Sequence, residues 1–301
     1  MPFQYKVPED KKVRVIIDTD AACEADDPFA IAHALMCQKF DVRAIFAEQF
    51  NREGSTRQSY EEILTVLRAM KKEVPVFMGE ETKISEKKQG EKVSPAADFL
   101  IEEAMREDEK PLFVLCIGAI TNVASAMMKE KEIAKHMTIV WIGGQGHEHS
   151  MPEVREFNAG NDVEAINYVL NSGVTFWQIP NDVYGKMRIS LAEIERRIAP
   201  CGEIGRHLFE NMETYNHSEH AGWTAGESWT LGDSPAVGVV LDPDCGFYHE
   251  TEAPIILDDT TNKFEKGRPK IRVYTSVDSR FILEDFIAKL EVLYGKDSDT
   301  K

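Results

Sequence analysis

Apolar runs of strand length alternate with segments of helical spacing over most of the chain. The runs, of which Val13–Ile17 and Leu112–Cys116 are typical, lack the polar alternation of a half-solvated strand. Parallel strands joined by crossover helices are covered on both faces and show this continuous apolar pattern. The pattern therefore predicts an α/β fold with a doubly wound, mostly parallel central sheet and helices on both faces.

Six strands and five helices are predicted in alternation before residue 180. The predicted strands are Val13–Ile17, Val42–Phe46, Val74–Phe77, Leu112–Cys116, Thr138–Ile142 and Val174–Gln178. The predicted helices are Pro28–Met36, Thr56–Met70, Ala96–Met105, Ile120–Met128 and Asp162–Leu170. Later segments predict helices over 191–217, a loop over 217–229, a helix from Asp233, short strands near 247–257 and 271–274, and a last helix over Arg280–Tyr294. Because no repeat or flexible linker divides the chain, we expect a single domain over residues 1–301.

The composition excludes several classes of partner. The chain has 35 basic and 52 acidic residues, and its net charge of −17 disfavours nucleic acid polymers and anionic membrane surfaces. Its five cysteines show no CxxC spacing, which argues against a disulfide framework and a cysteine zinc site. Neither a signal peptide nor a membrane-spanning apolar run is present in the sequence. We therefore expect a cytoplasmic protein that acts on a small molecule.

Four aspartates follow the first predicted strand within ten residues: Asp18, Asp20, Asp26 and Asp27. The loop after a parallel strand opens at the carboxyl edge of the sheet, where ligands bind. Carboxylates gathered at this place repel one another unless a cation neutralises them. Hard oxygen ligands without histidine or cysteine at ligand spacing favour Ca²⁺ or Mg²⁺.

Two other interpretations of this acidic loop stay open. Asp26 and Asp27 have the residue type and position of helix caps, which need no metal. Aspartyl-nucleophile phosphohydrolases also begin with a strand and a DxD motif, in which Asp18 would be the nucleophile and Asp20 the acid/base beside Mg²⁺. Those enzymes usually continue with Gly-Thr, where this chain has two alanines.

The acidic loop resembles the opening D-x-D-P-G-x-D-D motif of the inosine/uridine-preferring nucleoside hydrolase family. Four further segments resemble motifs of that family in the family's order: Gly118-Ala119-Ile120-Thr121-Asn122, Ile142-Gly143-Gly144, Glu156-Phe157-Asn158 with Asn161-Asp162-x-Glu164-Ala165, and Gly232-Asp233. Each match is short, but together they span roughly residues 13 to 240. The resemblance implies a nucleoside-hydrolase-like fold.

The resemblance also implies a reaction and its residues. The reaction would be Ca²⁺-dependent hydrolysis of the N-glycosidic bond of ribonucleosides, by a metal-held water that Asp26 activates, in purine or pyrimidine salvage. The implied calcium ligands are Asp20, Asp27, the main-chain oxygen of Thr121, and Asp233. The implied substrate-binding residues are Asp18, Glu156 and Asn158. Relatives of this kind form homodimers and homotetramers, and the same is expected here.

The chain departs from the family pattern at three places. The first loop is two residues longer, and Gly232 stands where the family has a histidine that assists the departing base. Candidates for that task lie just before Gly232: His217, His220 and Glu227 as proton donors, and Trp223 and Trp229 as purine-stacking platforms. Glu48-Gln49-Phe50-Asn51 stands where the family has a ribose-contacting Gly-Asn, so that Gln49 or Asn51 is the candidate substitute. A non-catalytic relative that binds nucleosides or sugars therefore stays an alternative.

One histidine pair lies outside this pattern. His147-x-His149 has the residue type of a metal site, but histidines in a glycine-bearing loop are more often surface residues. We interpret the pair as belonging to the surface.

Overall fold

An eight-stranded sheet forms the centre of the molecule in the computed structural model, which describes residues 3–87, 92–149 and 153–295. The strands are β1 Val13–Thr19, β2 Phe40–Ala47, β3 Val76–Met78, β4 Leu112–Cys116, β5 Met137–Ile142, β6 Thr175–Ile179, β7 Arg188–Ser190, β8 Ser228–Thr230, β9 Gly246–Glu252, β10 Ile255–Ile256, β11 Asn262–Lys263 and β12 Lys270–Val277. The sheet order is β3-β2-β1-β4-β5-β6-β12-β9, and all neighbours are parallel except β9, which pairs antiparallel with β12. Two ribbons, β7-β8 and β10-β11, lie outside it.

Helices cover both faces of this sheet. They are α1 Asp27–Met36, α2 Ser55–Met70, α3 Pro95–Ala104, α4 Thr121–Lys129, α5 Phe157–Asn161, α6 Val163–Leu170, α7 Asn181–Tyr184, α8 Leu191–Glu193, α9 Gly202–Asn216, α10 Ser234–Leu241 and α11 Ser279–Tyr294. Successive residues of β1 point to opposite faces: Val15 and Ile17 pack with α1, α2 and α9 to α11, whereas Ile16 packs with α3, α4 and α6. The doubly wound, mostly parallel α/β sheet is thereby confirmed.

The predicted element bounds differ from the observed ones in two informative places. β3 begins at Val76 rather than Val74, because Pro75 has no amide hydrogen to donate to a neighbouring strand. Trp229 lies in β8 rather than in a loop, and it pairs with Ile189 of β7. That ribbon joins segments about 40 residues apart, and neither segment shows a strand pattern of its own.

The order of the sheet determines where a ligand crevice forms. β1 lies between β2 and β4, so the chain moves outward in one direction through β2 and β3 and in the other through β4 to β6. Ligands of doubly wound folds bind at such a reversal, outside the carboxyl ends of the strands. The loops after β1, β4 and β5 open at this edge.

Among the described residues, no helix is both long enough and apolar enough to cross a membrane.

Candidate metal and active site

Four aspartates from two loops line one pocket at the carboxyl edge of the sheet. Asp20, Asp26, Asp27 and Asp233 lie there beside Ile117, and we call this place the acidic pocket. All four aspartates are buried, with 2% to 8% of their surface exposed. The structure thus brings together residues separated by up to 213 positions in the sequence, as 233 − 20 shows.

Local structure positions each carboxylate. Asp20 directly follows β1, and a Cβ atom at Gly118 would lie 2.8 Å from its Oδ1, so this approach requires glycine after β4. Asp27 begins α1 and accepts a hydrogen bond from the Thr19 hydroxyl. Asp26 and Asp233 precede α1 and α10, yet neither makes a side-chain cap hydrogen bond. Capping therefore does not account for this cluster.

Burial raises the pKa values of all four carboxyls, and the charges of neighbouring carboxylates raise them further at Asp20, Asp27 and Asp233. Burial, and then the charge of Asp26, raise the pKa of Asp27 to about 8. Burial also raises the pKa of Asp26 to about 6, against the amide hydrogen bonds from Gly232 and Asp233 that lower it. The pKa values of Asp20 and Asp233 lie well above their usual range for the same reasons, burial first and neighbouring aspartates second. A bound cation would remove this repulsion.

The donor set of the acidic pocket matches a hard cation. Carboxylate oxygens of Asp26, Asp27 and Asp233 lie within 4.8 Å of one another, and Asp20 lines the same pocket. The soft donor at the wall is the Cys23 thiol, whose pKa is raised by burial, so that it stays protonated. Oxygen ligands of this kind suit Ca²⁺ or Mg²⁺ rather than a transition metal.

Thr121 does not lie in the acidic pocket, which corrects its placement among the metal ligands. Thr121 is the first residue of α4, so its carbonyl group points along the helix, and its hydroxyl donates to Asp162 Oδ2 over 3.0 Å. Ile117, directly after β4, does line the pocket, and its carbonyl oxygen accepts from Asn158 Nδ2 of the same wall over 3.4 Å. The Ile117 carbonyl oxygen is the main-chain ligand that the structure offers.

Glu156 and Asn158 lie at the pocket wall, as the motif predicts. The Glu156 carboxylate accepts four hydrogen bonds, from the amides of Gly144, Asn158 and Ala159 and from the Tyr184 hydroxyl at 2.8 Å. A carboxylate has about four acceptor sites, so a sugar hydroxyl would have to displace one of these donors. Sugar binding by Glu156 stays a prediction.

Asp18 and Gln49 are buried away from the acidic pocket, which corrects both as substrate-binding residues. Asp18 Oδ1 accepts from Asn122 Nδ2 over 2.8 Å, and burial raises the pKa of Asp18 to about 7. Gln49 donates to the Thr121 hydroxyl over 3.0 Å. Because Asp18 does not line the pocket, it is not placed as the nucleophile of a phosphohydrolase.

The aromatic candidates form a cluster with Tyr215, which lies beside the pocket, because burial and then the charges of Glu24 and Cys23 at the pocket wall raise its pKa. Trp229 is fully buried, with its ring centroid 5.0 Å from that of Trp223 and 5.5 Å from that of Tyr215. Because no face of the Trp229 ring is accessible, the prediction that it stacks on the base is wrong. Trp223 is 45% exposed and stays a candidate.

The predicted proton donors lie outside the acidic pocket. The His217 and His220 side chains are exposed and lie beside Glu213 and Glu219, and Glu227 is exposed as well. None of the three lines the acidic pocket.

Sequence reasoning missed Tyr184, which is half-buried at the wall of the acidic pocket. Its ring packs 3.2 Å from where a Cβ atom at Gly232 would be, so tyrosine occupies space beside the position of the family histidine. The replacement of that histidine by Gly232 was the one available signal, but a missing side chain does not reveal which distant residue fills its place.

Comparisons with known proteins agree with this geometry. Pyrimidine-specific ribonucleoside hydrolase RihA of Salmonella arizonae is 29% identical over 235 residues, 70% of this chain and 74% of the relative. RihA of Salmonella agona is 27% identical over 285 residues, 86% of this chain and 88% of the relative. The solved purine-preferring ribonucleoside hydrolase from Gardnerella vaginalis superposes with a TM-score of 0.78 at 21% identity, covering 93% of this chain and 99% of that one.

A family model matches nearly the whole sheet and its helices. Residues 15–284 match the model of the inosine-uridine preferring nucleoside hydrolases, a span that includes every residue of the acidic pocket. The chain therefore belongs to the inosine-uridine preferring nucleoside hydrolase family, whose members are metal-dependent N-glycosidases acting on nucleosides.

Proposed function

We propose that this chain hydrolyses the N-glycosidic bond of ribonucleosides to free base and ribose, with Ca²⁺ in the acidic pocket. The observation that carries the proposal is the convergence of three buried carboxylates within 4.8 Å, with Asp20 beside them, at the reversal point of the sheet. Such a cluster is costly to bury unless a cation occupies it.

The residues of the pocket fit a calcium ion by their number and chemistry. Asp20, Asp27, Asp233 and the carbonyl of Ile117 would hold the ion, because Ca²⁺ takes six to eight oxygen ligands in a flexible arrangement. When bound, the ion would lower the pKa of a nearby water and neutralise the repulsion between the aspartates.

Asp26 is the general base of the proposed reaction. The amides of Gly232 and Asp233 donate to its carboxylate and orient it, while burial keeps its pKa at about 6. A base whose pKa lies near the working pH is largely deprotonated and is still basic enough to accept a proton. Asp26 therefore accepts the proton of the attacking water as the water adds to the anomeric carbon.

The remaining wall orients the substrate. Asn158 donates its amide hydrogens to the carbonyls of Ile142 and Ile117, over 2.9 and 3.4 Å, so its amide oxygen is assigned to a sugar hydroxyl. Trp223, beside the pocket, is assigned to stacking on the base. Fixing the sugar in this way aligns the anomeric carbon with the water.

A panel of nucleosides tests the proposal. Inosine, adenosine, guanosine, uridine and cytidine are incubated with the chain and Ca²⁺, and free base and reducing sugar are measured. Both base classes are included because one of the relatives above is named pyrimidine-specific and another purine-preferring. Release of base and ribose in equal amounts supports the proposal. Phosphate release from a phosphate monoester, or nucleoside binding without turnover, contradicts it.

Gly232→Ala is expected to lower kcat about tenfold, because the added methyl group would move the base. A Cβ atom at this position would lie 3.3 Å from Asp26 Oδ2 and 3.2 Å from Tyr184 Cδ2. Gly222→Ala is the matched control, since a Cβ atom there meets nothing within 4 Å. Steady-state kinetics on the best nucleoside measures both variants. Full activity of Gly232→Ala would mean that the position of the Asp26 carboxylate does not limit the reaction.

The assembly and location of the chain also stay proposals. The resemblance implies a homodimer or homotetramer. All five cysteines are unpaired, as a reduced cytoplasmic protein would have them.

A further inference from the structure

The turn between β10 and β11 holds a residue in an unfavourable backbone conformation. The Leu257 amide donates to the Thr261 carbonyl over 2.9 Å, and the Thr260 amide donates to the Leu257 carbonyl over 2.8 Å, which closes a loop over 258–260. Thr260 has a φ angle of 67°, in the left-handed region. Three-residue hairpin loops usually have glycine at their left-handed position, and a β-branched residue there is strained. Such breaks of local turn chemistry are expected where a function requires them.

The hydroxyl of Thr260 holds the main chain of Glu156. Thr260 is fully buried, although residues 257–259 of the same turn are exposed. Its Oγ1 accepts a hydrogen bond from the Glu156 amide over 2.8 Å. Glu156 directly precedes α5, where an amide has no partner within the helix. Glycine would relieve the strain of the turn but leave this buried amide unpaired, so the hydroxyl accounts for threonine at this position.

Glu156 connects the turn to the acidic pocket. Its carboxylate accepts hydrogen bonds from the Gly144 amide, in the loop after β5, and from the Tyr184 hydroxyl, each over 2.8 Å. Asn158 follows in α5 and donates to the carbonyl of Ile117, the proposed main-chain ligand of calcium. Moving the Glu156 main chain would therefore shift several groups of the pocket wall at once.

The rest of the hairpin is anchored, so that Thr260 is kept in its strained conformation. Asn167 of α6 donates to the Ile256 carbonyl over 2.7 Å and accepts from the Ile256 amide over 2.9 Å. Asn262 of β11 donates to the Gln145 carbonyl over 3.1 Å, in the loop after β5. A strained residue persists only where the surrounding structure determines its conformation in this way.

We propose that Thr260 is a positioning residue for nucleoside binding, because its hydroxyl fixes the Glu156 main chain and thereby the pocket wall that orients the sugar. The inference rests on the proposed function for its substrate. Thr260 is not among the residues that line the acidic pocket, so it acts through Glu156 rather than on the substrate. Asp26 lies in a different loop, so the effect falls on nucleoside binding more than on the proton transfer.

Three substitutions separate the hydroxyl from the shape of the side chain. Thr260→Val keeps the branched shape and loses the hydroxyl, Thr260→Gly loses both, and Thr260→Ser keeps the hydroxyl. Lys71→Gly is the matched control, because Lys71 is also left-handed, with a φ angle of 53°, but is exposed at the end of α2 and outside the pocket. Near-ultraviolet circular dichroism verifies that each variant is folded. KM, kcat and amide hydrogen exchange over residues 155–161 are then measured.

We expect Thr260→Val and Thr260→Gly to raise KM at least about tenfold and to change kcat by less than about threefold. Thr260→Ser and Lys71→Gly should keep KM within about twofold of the wild type. Amide exchange over residues 155–161 should be faster in the valine and glycine variants alone, because only these lack the acceptor for the Glu156 amide. If one of the two variants does not fold, the other still carries the test.

The proposal would be overturned by a wild-type KM in folded Thr260→Val or Thr260→Gly, or by a loss in Thr260→Ser as large as theirs. Unchanged exchange over residues 155–161 would overturn it as well. A wild-type chain that hydrolyses no nucleoside would contradict the proposed function instead, and the exchange would then decide whether Thr260 fixes Glu156.

Discussion

Asp26→Asn is expected to lower kcat for nucleoside hydrolysis by about a thousandfold or more. Asparagine has nearly the same shape and can still accept hydrogen bonds from the amides of Gly232 and Asp233, but it cannot take a proton. The loss therefore reports the base itself rather than the shape of the pocket. Steady-state kinetics with the best nucleoside measures the change.

Calcium binding distinguishes a base from a ligand in this experiment. Asp27, Asp233 and Asp20 remain in Asp26→Asn, so calorimetry should show a Ca²⁺ affinity within about tenfold of the wild type. Asp98→Asn, which removes an exposed carboxylate paired with Lys129, is the control for a general effect of charge. If Asp26→Asn retains its activity, or loses calcium as completely as it loses turnover, the assignment of Asp26 as the base is wrong.

Removing divalent cations is expected to abolish turnover and to make the stability of the chain fall as pH rises. The pKa values of Asp26, Asp18 and Asp27 in the folded chain are about 6, 7 and 8, all above the usual value of 3.8. Between about pH 4 and pH 8 the folded state therefore holds more protons than the unfolded state. The stability that the three protonated carboxyls give the folded state is fully present below about pH 4. It is lost as the pH rises through their folded-state pKa values.

The magnitude of this pH effect is large enough to measure by thermal unfolding. The rise of the Asp26 pKa from 3.8 to about 6 alone corresponds to roughly 3 kcal/mol in the free energy of unfolding. At about 2–4 °C per kcal/mol for a chain of this size, Tm of the metal-free chain should fall by roughly 6–12 °C from about pH 4 to about pH 8. Adding Ca²⁺ should restore Tm, and more so at the higher pH, because the carboxylates are then ionised.

A variant links this pH effect to the acidic pocket. Asp27→Asn removes one of the repelling charges, so the metal-free variant should lose less stability on raising the pH than the wild type does. The exposed variant Asp98→Asn should keep the full pH dependence. A Tm of the metal-free wild type that stays level or rises with pH would show that the pocket tolerates its charges without a cation.

Motif positions predict the acidic pocket only in part. Asp20, Asp26, Asp27 and Asp233 do lie together, because each directly follows a strand, or directly precedes or begins a helix, at the same sheet edge. Thr121 is only four positions beyond Ile117, yet it lies in α4 and points elsewhere. Carbonyl groups alternate in direction along a strand but all point along the axis of a helix, so a motif that identifies the segment does not identify which carbonyl binds the ion.

The site residues that the sequence missed or misplaced depend on contacts between distant segments. Tyr184 fills space beside Gly232, 48 positions away, as 232 − 184 shows. Trp229 is buried because β8 pairs with β7 in a two-stranded ribbon, in which Trp229 lies opposite Ile189. Neither composition nor periodicity records such distances.

The sequence by itself determined the doubly wound sheet, because apolar periodicity and strand burial are properties of each segment and its nearest neighbours. It also determined the segments that meet at the sheet edge, because the carboxyl ends of parallel strands share one edge. Only the tertiary structure decided which carbonyl or carboxylate enters the acidic pocket. That choice depends on how segments far apart in sequence pack, and a shift of one residue turns a side chain or a carbonyl group to the opposite side.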